Sequence, residues 1–319
     1  MENLFLFVAL IILIICLVIS ARFVETSFTV FSKKFKINEF FLGFFVLAVI
    51  TSLPEISIAV VSSNEAPDLS LGNLIGSSIV VLTLIMGISA IKYKGIEFKG
   101  KFSEKDVVMG LLLISLMVFS IVDGYLTILE SMVLLGAYAL YIYYLYKKFN
   151  KKDSVTLFVT IDSTSPIRLF IKAMVGIVGI IITSSFVVST ASTLATNVGV
   201  STTLIGVLML AVGTNLPELT VLLTSKNLNE EKLAIGNFFG SVCLNVPTLA
   251  LLGIMSRGFK IDDLLSIVSG SVILIFSIIL FMIFSWTGRK LSRSEGILLL
   301  AIYAAFILTE LLVLITTVK

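Results

Sequence analysis

Long apolar stretches constrain this sequence more than any other feature. Ten of them are long enough to cross the roughly 30 Å hydrocarbon layer of a bilayer as helices, two of them with an interruption. They cover residues 4–24, 37–66, 71–91, 106–122, 125–146, 168–195, 201–225, 233–255, 264–286 and 295–317. Because 58% of the residues are hydrophobic and only 13% are charged, an ordinary water-soluble enzyme is excluded. The sequence predicts an all-α membrane protein with ten transmembrane helices.

The basic residues predict the orientation of the chain. When the ten stretches alternate in direction, all of the 23 Lys and Arg residues except Arg257, Lys260 and Lys319 fall on one side. Cytoplasmic loops of membrane proteins are enriched in Lys and Arg, so this side is predicted to be the cytoplasm. We therefore expect a multi-pass protein of the cell membrane with both termini outside.

The longest polar connection divides the ten stretches into two sets of five. We expect a first five-helix unit at residues 1–149, a cytoplasmic linker at 150–165 and a second five-helix unit at 166–319. Because five is an odd number, the second unit enters the bilayer in the opposite direction from the first. This is the geometry of an inverted repeat.

The two predicted units share a pattern of motifs. A shift of 163 residues superimposes AVITSLPE at 48–55 on AVGTNLPE at 211–218, and a shift of 164 superimposes GNLIGS at 72–77 on GNFFGS at 236–241. Paired T-x-L-P-E and G-N-x-x-G-S blocks in matching order are far more specific than a single motif, and they support the inverted repeat. The glycines alone are equally compatible with close helix packing.

Two acidic residues, Glu55 and Glu218, lie near the middle of long apolar stretches. A charge at the centre of a membrane helix costs on the order of 3 kcal/mol, and carboxylates retained there are usually functional. Pro54 and Pro217 precede them and cannot donate a backbone hydrogen bond, so each is predicted to interrupt its helix and to leave carbonyl groups without a helical partner. Such carbonyls need a cation or a polar cavity.

Oxygen ligands accompany the two glutamates. A threonine, Thr51 or Thr214, stands four residues before each glutamate on the same helix face, and Ser241 and Asn245 share a face in the same way. Oxygen ligands favour Ca²⁺, Mg²⁺ or Na⁺, and irregular geometry favours Ca²⁺ over Mg²⁺. Two carboxylates can be neutralised by one Ca²⁺ or by two Na⁺, and one of them can instead take up a proton. The choice between Na⁺ and H⁺ stays open.

These motifs resemble those of the sodium/calcium exchanger family, whose repeats carry G-T-S-L-P-E and G-N-x-x-G-S blocks. The resemblance covers nearly the whole chain and is closest at 43–81 and 206–245. It implies two inverted five-helix repeats with broken helices at the ion site, and first and sixth spans that slide as gates. The implied activity is secondary active exchange of Ca²⁺ for Na⁺ by alternating access, and the implied partners are these ions, or H⁺, and the lipid bilayer.

The resemblance also implies a set of cation ligands. They are the two glutamates, the residues before them in each T-x-L-P-E block, an alanine carbonyl one turn earlier, and polar residues of the G-N-x-x-G-S helices. The candidate metal-binding residues are Glu55, Glu218, Thr51, Thr214, Ser52, Asn215, Ser77, Ser241, Asn245, Ala48 and Ala211.

Four positions depart from the family pattern. Val81 stands where Asn is expected, Asn245 where Asp is expected, Ile50 replaces Gly, and Asn215 replaces Ser. We expect the two glutamates still to bind a cation, with a different ion number, affinity or coupling ion. Two further functions therefore stay open: a Ca²⁺/H⁺ antiporter and a cation-binding homologue with impaired transport.

Other functional classes are disfavoured. Inverted repeats favour alternating access over an ion channel. The chain has no His, no G-x-S-x-G motif, and neither a Walker-type loop nor a Rossmann fingerprint, so we expect no enzyme activity and no cofactor. Nothing indicates a nucleic acid or a protein partner. Glu130 and Glu310 are expected to extend towards an outer helix end or to form a local hydrogen bond.

Overall fold

The computed structural model describes residues 2–32, 42–97, 104–149, 166–224, 228–288 and 290–317, nearly all of them helical. The α-helices are α1 Glu2–Ser32, α2 Ala48–Thr51, α3 Leu53–Ser62, α4 Pro67–Ile79, α5 Met86–Lys92, α6 Glu104–Phe119, α7 Ile128–Phe149, α8 Pro166–Val198, α9 Thr202–Ile205, α10 Ala211–Thr214, α11 Leu216–Thr224, α12 Leu228–Met255, α13 Leu264–Gly288 and α14 Arg293–Thr317. Three π-helical segments continue them: π1 Leu42–Leu47, π2 Val80–Ile85 and π3 Gly206–Leu210.

Many of these helices can cross a membrane. In the described part of the chain, eight helical stretches are long and apolar enough, and the bent pair Phe44–Thr51 and Leu53–Ser62 would make a ninth. Helix α6 lies in the fourth predicted span, but its 16 residues give about 24 Å of helix, which is shorter than the hydrocarbon layer. The prediction of a helical multi-pass membrane protein is confirmed, whereas the number ten stays a prediction.

The outer surface is apolar and the interior is partly polar. Large side chains such as Leu129 and Trp286 are exposed to 75% and 69%, while Asn73 and Glu218 are completely buried. A soluble protein keeps its carboxylates and amides at the surface. The reversed arrangement fits a chain whose surroundings are lipid and whose polar groups serve each other or an ion.

Both T-x-L-P-E blocks interrupt their helices as predicted. Helix α2 ends at Thr51 and α3 begins at Leu53, with Pro54 in its first turn and a bend of 51° between the two. In the second block, α10 ends at Thr214 and α11 begins at Leu216. A π-helical segment precedes each block, and such widened turns are frequent at functional sites.

The helices that carry the G-N-x-x-G-S blocks lie inside the molecule and pack against the broken helices. A Cβ atom on Gly76 of α4 would lie 2.7 Å from the Cβ of Ala211, and one on Gly240 of α12 would lie 2.5 Å from the Cβ of Ala48. Each block thus packs against the broken helix of the other half of the chain. The glycines do serve close helix packing.

Two short strand pairs tie the ends of the helices together. Strand β1 Ile96–Glu97 pairs antiparallel with β4 Lys290–Leu291, and β2 Tyr125–Leu126 pairs antiparallel with β3 Phe259–Lys260. The first pair joins two loops predicted to be cytoplasmic, and the second joins two loops predicted to be outside. The pairing agrees with the predicted alternation of the spans.

Helices α5 and α12 end in the same kind of turn. Lys94 and Arg257, which are 163 residues apart, adopt positive φ angles of 59° and 58°, and Gly95 and Gly258 follow them with φ of 110° and 79°. The amide of each of these glycines bonds the carbonyl oxygen five residues earlier at 2.8 Å. This left-handed ending favours Gly, because a Cβ is disfavoured at positive φ. Backbone conformation therefore repeats at the same shift as the sequence motifs.

Candidate cation site

Glu55 and Glu218 meet inside the protein. They are exposed to only 2% and 0%, and their carboxylates are close enough to interact electrostatically. The Oε2 atom of each is buried with no hydrogen-bond partner among the described residues. A buried carboxylate oxygen without a partner is unfavourable unless a proton or a cation compensates it. The pair is therefore the natural place to look for a bound ion.

Four candidate ligands converge in what we call the Thr51 half of the site: Ala48, Thr51, Ser241 and Glu218. The Thr51 hydroxyl lies 3.3 Å from the carbonyl oxygen of Ala48 and 3.3 Å from the Ser241 hydroxyl. Ser241 in turn donates a hydrogen bond to Oε1 of Glu218 at 2.9 Å. One carbonyl, two hydroxyls and one carboxylate thus lie within a single chain of contacts.

The corresponding residues form the Thr214 half: Ala211, Thr214, Ser77 and Glu55. Thr214 lies beside the Glu55 carboxylate, as Thr51 lies beside that of Glu218. The side chain of Asn215 lies between the other two members, because its Nδ2 donates to the carbonyl oxygen of Ala211 at 2.6 Å and to the Ser77 hydroxyl at 2.8 Å. The two halves therefore contain matching oxygen ligands, but the hydrogen bonds around those oxygens differ.

Two asparagines that the sequence reasoning did not include belong to the same cluster. Thr51 donates to Oδ1 of Asn237 at 3.1 Å, and Thr214 lies 3.3 Å from Oδ1 of Asn73 in the same arrangement. Both asparagines are fully buried. They are the second residue of each G-N-x-x-G-S block, so their repetition was a usable signal. They hold the threonine hydroxyls in place.

The remaining candidates occupy different places. Ser52 is buried at the break between α2 and α3. Asn245 uses its amide to bond helix α4, at 3.3 Å from the carbonyl oxygen of Leu74 and 2.9 Å from the Ser78 hydroxyl. Val81, at the position where the family pattern has Asn, is buried in the apolar core.

Three other acidic residues have partners of their own. Glu25 interacts electrostatically with Arg22, three residues earlier in the sequence, and also with Glu218, a contact that the sequence did not indicate. Glu130 accepts hydrogen bonds from the amide and hydroxyl of Thr127 at 2.8 and 2.6 Å, which confirms the expected local role. Glu310 is buried and accepts a hydrogen bond of 2.6 Å from Ser269, so it too forms a local hydrogen bond. Within the described residues, no group of three or more His, Cys, Asp or Glu is arranged to hold a metal.

Comparison with known proteins decides the family. A sequence model of the sodium/calcium exchanger protein family matches residues 5–147 and 169–312. This chain belongs to the sodium/calcium exchanger family. The resemblance inferred from the two pairs of motifs is thereby confirmed, and the family is one of membrane transporters.

Individual relatives agree with this assignment. Membrane protein MJ0091 of Methanocaldococcus jannaschii is 29% identical, over 85% of this exchanger and 87% of its own length. Sodium/calcium exchanger MaX1 of Methanosarcina acetivorans is 25% identical, over 90% of this exchanger and 93% of its own length. A solved structure of the sodium-calcium exchanger NCX_Mj superimposes with a TM-score of 0.67 at 25% identity and covers 95% of this chain and 97% of that one.

Proposed function

We propose that this exchanger moves Ca²⁺ across the membrane against Na⁺ by alternating access. The observation that carries the proposal is the pair of buried glutamates, Glu55 and Glu218, each with an unpartnered Oε2 atom. Their two charges are neutralised by one Ca²⁺ or by two Na⁺, and the neighbouring hydroxyl and carbonyl oxygens are ligands that both ions accept. Exchange requires that one Ca²⁺ and two Na⁺ compete for the same site.

The proposed binding site is the set of residues inferred from the sequence. Glu55 and Glu218 provide the charge, and the other members provide neutral oxygen atoms. The proposed ligands are Glu55, Glu218, Thr51, Thr214, Ser52, Asn215, Ser77, Ser241, Asn245, Ala48 and Ala211.

The proposed architecture is ten spans in two inverted units, 1–149 and 166–319, joined by a cytoplasmic linker at 150–165. Three observations support it. The family model matches each half of the chain separately. The turns at Lys94 and Arg257 repeat at a shift of 163 residues. Each strand pair joins loops that this topology places on the same side, with both termini outside.

Contacts on either side of the glutamates support alternating access. Helix α1 packs along α8, and each of them also touches a broken helix. Ser184 of α8 bonds the hydroxyl of Ser57 at 2.6 Å, and Arg22 of α1 donates to the hydroxyl of Thr220. Ser57 and Thr220 are 163 residues apart, and in the proposed topology they lie on the outer and inner sides of the glutamates. Breaking one contact while keeping the other would open the site to one side only.

One observation favours H⁺ as an alternative coupling ion. Glu25 adds a third acidic group beside Glu218, and neighbouring carboxylates repel each other. Protonation of one of them relieves that repulsion. A Ca²⁺/H⁺ antiporter built on the same residues is therefore the second candidate.

Flux into proteoliposomes tests the proposal. Purified exchanger is reconstituted, and uptake of radiolabelled Ca²⁺ is followed with either an outward Na⁺ gradient or a pH gradient, each imposed alone. We expect uptake with the Na⁺ gradient. Uptake driven only by the pH gradient would show that the coupling ion is H⁺ and not Na⁺. Retained Ca²⁺ binding without uptake would identify a transport-impaired homologue. Protein-free liposomes are the control, and single-channel currents would contradict an antiporter.

A further inference from the structure

Within the T-x-L-P-E block, the two halves of the site differ at one pair of matching positions. Ser52 follows Thr51 in the first T-x-L-P-E block, and Asn215 follows Thr214 in the second. Both side chains are buried, with 2% exposed in each case. A difference confined to one residue in an otherwise repeated block can make the two halves behave differently towards ions.

The Asn215 amide uses the oxygen atoms that a cation in the Thr214 half would need. Its Nδ2 lies 2.6 Å from the carbonyl oxygen of Ala211 and 2.8 Å from the hydroxyl oxygen of Ser77. Each oxygen accepts a hydrogen from the amide, so one lone pair of each is directed at the NH₂ group. An amide nitrogen at these distances also occupies the space between the two oxygens. The NH₂ group thus occupies the position that a cation bound to these two oxygens would take.

Among the described residues, no amide NH₂ bonds the carbonyl oxygen of Ala48 or the hydroxyl of Ser241 in the Thr51 half, where Asn237 presents its Oδ1 to Thr51. The carbonyl and hydroxyl oxygens of this half belong to Ala48, Thr51 and Ser241, and Ser241 donates to Glu218 at 2.9 Å. A hydroxyl can rotate its hydrogen away and present a lone pair to a cation, whereas an amide NH₂ has no lone pair to present. The Thr51 half therefore remains able to bind a monovalent cation.

The charge of the site fits this reduced capacity. Glu55 and Glu218 supply two negative charges, the charge of the neighbouring Glu25 is offset by Arg22, and the neutral Asn245 stands where the family pattern has a carboxylate. Two negative charges balance one Ca²⁺ or two monovalent cations. One monovalent ion would occupy the Thr51 half and the other would lie between the glutamates.

We propose that the Asn215 carboxamide takes the place of a cation in the Thr214 half, so that this exchanger carries one Ca²⁺ against two monovalent cations without net charge. This inference rests on the proposed function, because it concerns the capacity of the same site. It makes the NH₂ group of Asn215 a determinant of stoichiometry, while Oδ1 of the same side chain, buried without a hydrogen-bond partner among the described residues, stays available as a neutral oxygen ligand.

Equilibrium displacement measures the capacity without any transport. Radiolabelled Ca²⁺ is bound to purified exchanger and displaced by increasing Na⁺, and the steepness of the displacement curve sets a lower limit on the number of competing cations. We expect a Hill coefficient of about two for the wild type and one approaching three for Asn215→Ser, since the coefficient cannot exceed the number of sites. Asn64→Ser, at an exposed turn away from the site, is the matched control and should behave as the wild type.

A second variant keeps the inference testable if Asn215→Ser does not fold. Ser52→Asn introduces the same amide into the Thr51 half and is expected to lower the coefficient towards one while Ca²⁺ still binds. A wild-type coefficient near three, or coefficients that neither substitution changes, would overturn the inference.

Flux measurements separate this inference from the proposed function. In proteoliposomes whose membrane potential is clamped with K⁺ and valinomycin, wild-type Ca²⁺ uptake should not depend on the potential, and uptake by Asn215→Ser should. Absence of Na⁺-driven uptake by the wild type would contradict the proposed function, even where displacement behaves as expected. Potential-dependent wild-type uptake would contradict the inference and leave the antiporter intact.

Discussion

Gly240 packs so closely on Ala48 that a Cβ at Gly240 would lie 2.5 Å from the Ala48 Cβ and 2.1 Å from the carbonyl oxygen of Phe44. No real Cβ approaches a backbone oxygen this closely. The contact brings the next residue, Ser241, to 3.3 Å from Thr51. Close backbone approach therefore positions two candidate ligands from opposite halves of the chain.

Gly240→Ala should destabilise the protein and weaken Ca²⁺ binding. The added methyl group must push α12 away from the broken helix, and overpacking of this kind costs ~1–3 kcal/mol. The measurement is thermal unfolding in detergent together with Ca²⁺ affinity. Gly136→Ala is the matched control, because a Cβ at Gly136 meets nothing within 4 Å. Equal behaviour of the two variants would show that the contact does not constrain the site.

Thr51 and Asn237 should be energetically coupled through the hydrogen bond that joins them. In a double-mutant cycle with Thr51→Val and Asn237→Ala, we expect a coupling energy of about 0.6 kcal/mol, and ~1.7 kcal/mol at most, as for other hydrogen bonds between membrane helices. The free energy of unfolding in mixed micelles provides the measurement.

The control cycle combines Thr51→Val with Asn73→Ala, two residues that no described hydrogen bond joins. The effects of these two substitutions on the free energy of unfolding should be closer to additive. Strict additivity in the Thr51–Asn237 cycle would mean that this bond contributes nothing to holding the hydroxyl in place.

Sequence alone predicted much of this fold because its signals are local. The length of an apolar stretch indicates a membrane helix, and Pro54 and Pro217 indicate where two helices break. The repetition of T-x-L-P-E and G-N-x-x-G-S indicated which residues to consider together. The bounds were less exact, because the fourth stretch was predicted at 106–122 whereas helix α6 covers Glu104–Phe119.

Contacts between distant parts of the chain could not be predicted in the same way. The pattern named Asn215 as a candidate ligand, but only the three-dimensional structure shows its amide bonded to Ala211 and Ser77. The sequence likewise places Glu25 three residues after Arg22, and only the structure shows its interaction with Glu218. Which oxygen or nitrogen of a side chain faces a neighbour depends on the packing of helices from both halves, and no local pattern encodes it.

Single cysteines at Lys94 and Arg257 should be labelled from opposite sides of the membrane. Both residues are exposed and follow helices α5 and α12 in equivalent turns, but the proposed inverted topology would place the first in the cytoplasm and the second outside. Lys94→Cys and Arg257→Cys are made in a background with Cys16→Ser, while Cys243 is buried. A membrane-impermeant maleimide applied to intact cells is expected to label Arg257→Cys only. Labelling of both from the same side would contradict the inverted repeat.

The most direct test of the account is the Ca²⁺ affinity of purified Glu55→Gln and Glu218→Gln, measured by equilibrium binding of radiolabelled Ca²⁺. Gln keeps the size of each side chain and removes its charge, and removal of one partner from a buried charged contact costs roughly 2 kcal/mol or more, which is about a 30-fold loss of affinity. Glu65→Gln, at an exposed turn, is the matched control and should bind as the wild type does. We predict that both central variants lose at least this much affinity. Wild-type affinity in both would contradict the claim that these two glutamates hold the ion.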